Sequence, residues 1–174
     1  MGRFKHVGDV RTNEDGILEY TGEYYRFGGE GETKKALTGL TVCVLILLAL
    51  TLVSGCLDAK SATGSYTVII PFIGEVSCVF VIVWQSVRLL TGKGTVRVYV
   101  MESIRSKIPA ALKILTVFCA VGRCFSVLYI VRNGMGEDGI KNLVYPVMKG
   151  LIAVTAVFAD RRFAGVPWSG VTER

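Results

Sequence analysis

The chain has 174 residues, 51% of them hydrophobic, with a mean hydropathy of +0.49 and a net charge of +6. It is too apolar for an ordinary water-soluble domain of this size and fits one membrane domain with short polar ends. Most of the 20 Lys and Arg residues flank apolar runs and they form no stripe of their own, so no nucleic-acid partner is expected. Five cysteines without a CxxC pair, and His6 as the only histidine, argue against a disulfide framework or a metal site, and no cofactor motif is present.

Residues 1–35 form a polar arm with no sign of a secretory leader, and MGRFKH lacks the Ser or Thr that a myristoylation signal requires. Turn signals at residues 13–16 and 21–22 bracket two Tyr-rich segments, 17–20 and 23–27. These can pair as a β-hairpin if a surface supports them; the glycine-rich stretch 28–32 favours disorder instead. Residues 36–56 then run without a charge after Lys34 and Lys35, which is enough for a helix to cross about 30 Å of hydrocarbon. The ending Val53-Ser54-Gly55-Cys56 resembles a bacterial lipobox, but its polar leader is long and further apolar runs follow, so processing at Cys56 is not expected.

A second span covers residues 66–87 and carries Pro71, Gly74 and Glu75. The GKGT at residues 92–95 lacks the spacing of a phosphate loop. Residues 96–107 mix Val98, Tyr99, Val100 and Ile104 with Arg97, Arg105 and Lys107, as an interfacial segment would. Anionic lipid is the expected partner of Arg88, Lys93, Arg97, Arg105 and Lys107. Pro109 sits at the mouth of a third span, 108–131, and a fourth covers 143–159 before the polar tail 161–174.

The fold class is therefore an all-α membrane protein: four transmembrane helices as two helical hairpins, with the short N-terminal arm. Lysines and arginines beside the spans number fourteen on the side of the arm, the 88–107 connection and the tail, against three on the other side. Both termini are expected in the cytoplasm, with the plasma membrane as location.

Four ionisable residues fall inside spans. Lys113 lies near a span end and can snorkel to the head groups. Glu75, Arg123 and Lys149 come from three spans and lie roughly 14, 12 and 9 Å below the outer ends at about 1.5 Å rise per residue. Charges at such depth usually face the bundle interior and have a partner, so a cluster with Glu75 bridging both bases is expected. Cys78 and Cys119 fall one turn inward of these charges, and Tyr145 one turn from Lys149. Pro71 to Glu75 is weakly echoed by Pro146 to Gly150, as in an internally repeated bundle.

The four-span layout resembles that of membrane thiol oxidoreductases that pass electrons to quinone, which implies cysteine pairs in the outer loops. Residues 57–65 and 132–141 contain no cysteine, so the likeness stops short of that chemistry. Glu75 is similar to the lone intramembrane glutamate of small multidrug exporters, but those are shorter and lack the two flanking bases.

No nucleophile–base pair stands out, so no catalytic residue is assigned. The expected function is a non-catalytic accessory protein or subunit of a larger membrane assembly, packed beside a larger membrane protein or on itself. A small transporter or ligand-binding protein using the charged cluster is the alternative, and a membrane thiol enzyme using Cys78 and Cys119 a further one.

Overall fold

A computed structural model describes residues 10–12, 18–20, 23–57, 66–134 and 139–171. Four long helices dominate: α1 (Gly29–Cys56), α2 (Tyr66–Thr91), α3 (Val98–Asn133) and α4 (Gly139–Ala164). Each is long and apolar enough to cross a membrane, as in a small integral membrane protein. Their composition is inverted relative to a soluble bundle. Leu52, Phe80 and Val117 are 60%, 68% and 61% exposed, whereas Glu75 and Lys149 are fully buried.

Neighbours around the bundle are α1 with α2, α2 with α3, α3 with α4, and α4 with α1, the two contacts of α3 being the most extensive. α2 and α4 thus face one another across the centre. Leu47, Ile82, Ile104, Ile108, Leu112, Leu115 and Ile152 fill the apolar core. Lipid tails are as apolar as these side chains, so close packing has to hold the helices together, and small residues allow it. Gly39 lies under the Arg162 guanidinium, Gly55 under Phe72 and Gly74 under Phe118, each so closely that a Cβ would come within 3 Å of the neighbour.

Short strands gather at one end. β1 (Val10–Thr12) pairs antiparallel with β2 (Leu18–Tyr20). A second sheet has β3 (Tyr24–Phe27) at its centre, between β4 (Thr95–Arg97) and β5 (Trp168–Val171), all antiparallel. The arm therefore pairs differently from the expected hairpin: residues 18–20 bond to 10–12, and 24–27 bond to the α2–α3 connection and the tail. A two-stranded hairpin is marginal alone, and three strands on an apolar floor are not. That floor is Phe27, 1% exposed, with ring centroids 5.7 Å from Phe163 and 5.0 Å from Trp168. The turn segments 13–17 and 21–22 lie outside the described residues, as do 58–65 with Lys60 and 135–138.

Two further boundaries differ from expectation. The segment 98–107 continues into α3, which makes a helix of 36 residues, about 54 Å long at 1.5 Å per residue. Pro109 consequently lies inside this helix, and residues 168–171 of the tail are a strand.

Candidate functional site

The sheet marks one end of the bundle, and the opposite end carries the α1–α2 and α3–α4 connections, here the loop end. Measured from the loop-end termini of α2, α3 and α4, Glu75, Arg123 and Lys149 lie about 14, 15 and 15 Å deep at 1.5 Å per residue. They share a level, but the structure brings only two of them together.

Lys149 Nζ donates to Glu75 Oε2 at 2.5 Å, and both side chains are 0% exposed. Because α2 and α4 are diagonal partners, this bond crosses the centre of the bundle. The ammonium also lies 4.6 Å from the Phe72 ring centroid and 4.7 Å from that of Tyr145. Both rings come from one turn nearer the loop end than the charges they touch, so they close the pair off from that side. Cation–π attraction of this kind strengthens when water is excluded. Tyr145 thus contributes a ring face to the site.

Glu75 Oε1 points at α3, where a Cβ on Gly122 would sit 3.4 Å from it. That oxygen takes no full hydrogen bond among the described residues. The thiol of Cys119, a weak donor, lies beside the carboxylate. Cys119 and Cys78 are buried, one turn towards the sheet, and are free thiols.

Arg123 is placed elsewhere. It is exposed, and its guanidinium lies against α4, with Nη1 3.1 Å from where a Cβ of Gly150 would be. Its side chain therefore stays level with its own backbone instead of reaching for the loop end. It forms no ion pair or hydrogen bond among the described residues. Phe72, Gly122 and Gly150 also belong to the site, beyond the residues expected there. Helical spacing carried the signal for Phe72, which stands three residues before Glu75, and adjacency carried it for the two glycines beside Arg123 and Lys149.

A groove of about 810 Å³ runs between α1 and α4 near the sheet end, with Lys34, Lys35 and Arg162 at its polar mouth and Val42, Ile46 and Phe158 on its walls. At the sheet itself, burial tends to lower the Arg97 guanidinium, but hydrogen bonding with Tyr24 and Tyr99 outweighs this and holds its pKa above the ordinary arginine value. No group of three His, Cys, Asp or Glu side chains gathers in metal-binding fashion among the described residues.

Comparison of the chain with family models, curated proteins and solved structures finds no match in any of the three.

Proposed function

We propose that this chain is a non-catalytic accessory subunit of a larger membrane assembly, acting through its outer surface. The observation that carries this reading is the division of the intramembrane charges. One acid and one base neutralise each other inside the bundle and are sealed by Phe72 and Tyr145, while the third charge, Arg123, faces outward at the same depth. A transporter or receptor built on this acid and base would need its ligand to reach them, and both are fully buried. A buried ion pair suits a different task, fixing which helices meet and in what register. The thiols fit the same picture as small core residues that permit close helix approach.

In this reading the sheet end faces the cytoplasm, as the fourteen-to-three distribution of basic residues favours. The side chains of Lys93, Arg97, Arg105 and Lys107 are exposed there, with Arg88 half-buried beside them, and they meet anionic head groups. The test is the state of the protein after extraction from its own membrane in mild detergent. A stoichiometric complex with a larger membrane protein is expected. Recovery as a lone monomer, with its thermal stability intact, would count against the proposal.

A further inference from the structure

We infer that the α3–α4 face around Arg123 docks a transmembrane helix of a different protein, one carrying an Asp or Glu at mid-membrane depth. This rests on the accessory-subunit reading above and names the chemistry of the contact. An arginine left on the surface of a helix at the bilayer centre costs at least about 2.5–3.5 kcal/mol. Such residues usually escape by snorkelling to the head groups. Arg123 does not, because its guanidinium is folded against Gly150, which lies about 16 Å from the loop end of α4 at 1.5 Å per residue. Head-group phosphate at that end is therefore out of reach of this conformation.

The rest of the face is suited to a helix. Val127 stands one turn from Arg123, and Val147 one turn from Gly150; they are 43% and 53% exposed. Gly150 leaves room for the guanidinium against α4, so an exposed charge stands beside these apolar side chains. A carboxylate arriving at this level would find a planar, two-pronged donor, the geometry at which arginine excels.

A second copy of the chain cannot supply that carboxylate. Glu75 is the only acid in the four helices away from the sheet-end turns that hold Glu30, Glu32, Glu102 and Asp160, and it is buried and bonded to Lys149. Two copies inserted with the same orientation would set Arg123 against Arg123 or against aliphatic side chains. The charge pattern therefore selects a heterologous partner.

The experiment places a photo-crosslinking residue at Val127 or Val147, with Ile46 on α1 and Phe80 on α2 as controls, in full-length protein in its native membrane. Adducts from positions 127 and 147 are expected on a transmembrane helix containing a central Asp or Glu. Arg123→Leu should reduce those adducts about fivefold or more while the melting temperature stays put, and Arg123→Lys should reduce them less. Neutralising the partner's acid should reproduce the loss, and Arg123→Glu combined with a basic residue at the partner's acid should restore the adducts.

Adducts confined to Ile46 or Phe80 would overturn the inference and leave the accessory reading standing. So would adducts at 127 and 147 that ignore Arg123→Leu, that fall on a second copy, or that fall on a helix without an acid. Adducts to lipid alone at all four positions would overturn both.

Discussion

At the scale of single residues, the chemistry turns on how Glu75 and Lys149 share one low-dielectric site. Each charge alone would be expensive there, and each is tolerable because the other sits beside it. Glu75→Gln leaves a buried ammonium with only two aromatic rings for company, and is expected to destabilise the bundle by about 3–5 kcal/mol. Lys149→Met should cost a similar amount for the mirror reason. The pair Glu75→Leu with Lys149→Met removes both charges and keeps the volume, so most of the loss should return, since an apolar replacement of a buried pair is often neutral or better. A double-mutant cycle on melting in detergent measures the coupling directly. Near-additive losses in the cycle would mean that the two charges do not act as a pair, and would remove the packing role assigned to them here.

At the scale of elements, the connection between α2 and α3 shows how little chain is needed to turn one helix into a strand and then into the next helix. Gly94 N–H donates to Leu89 O at 3.0 Å and Lys93 N–H to Leu90 O at 2.9 Å, the double bond that closes a Schellman motif. The left-handed position is filled by Lys93, φ 50°, where glycine is the unstrained choice. Lys93→Gly is therefore expected to stabilise the turn by up to about 1 kcal/mol, since relief of strain exceeds the added freedom of the unfolded chain. Gly92→Ala should do the opposite: its Cβ would fall 2.4 Å from the Thr95 carbonyl and push β4 off β3. Thermal melts of the two variants, shifted in opposite directions, check both expectations.

The elements also separate what could be read in the sequence from what could not. Uncharged runs such as 36–56 announce a span by composition alone, and the depth of an acid and a base on two other apolar runs is simple arithmetic. Rotation about a helix axis is not available from that arithmetic, which is why Arg123 was expected inside beside Glu75 and stands outside against Gly150. The sheet was hidden for another reason. β4 and β5 are three and four residues long, and their partner, β3, is more than sixty positions away from either in the chain. No local pattern encodes such pairing; the apolar contact of Phe27 with Phe163 and Trp168 supplies it.

At the scale of the whole molecule, that small sheet has a consequence for topology. It bonds the arm before α1, the link between α2 and α3, and the tail after α4 into one body, so these three segments must share a side of the membrane. An even number of spans is the only arrangement that permits this, and four helices satisfy it. Which side that is belongs to the proposal above, in which the fourteen-to-three bias of basic residues in the sequence puts the sheet end in the cytoplasm. Two thiols can report the outcome. Cys56 is exposed at the loop end of α1, and Gly170→Cys adds a thiol on β5 with open space around its Cβ. A membrane-impermeant maleimide added to intact cells should label Cys56 and leave position 170 untouched. Inside-out vesicles should show the reverse. The exposed Cys124 should stay silent in both, because it lies next to Arg123 at mid-span, beyond the reach of a polar reagent. Labelling of positions 56 and 170 from one and the same side would break the four-span topology. The reversed pattern would keep the four spans and invert the molecule in its bilayer, placing the basic sheet end outside.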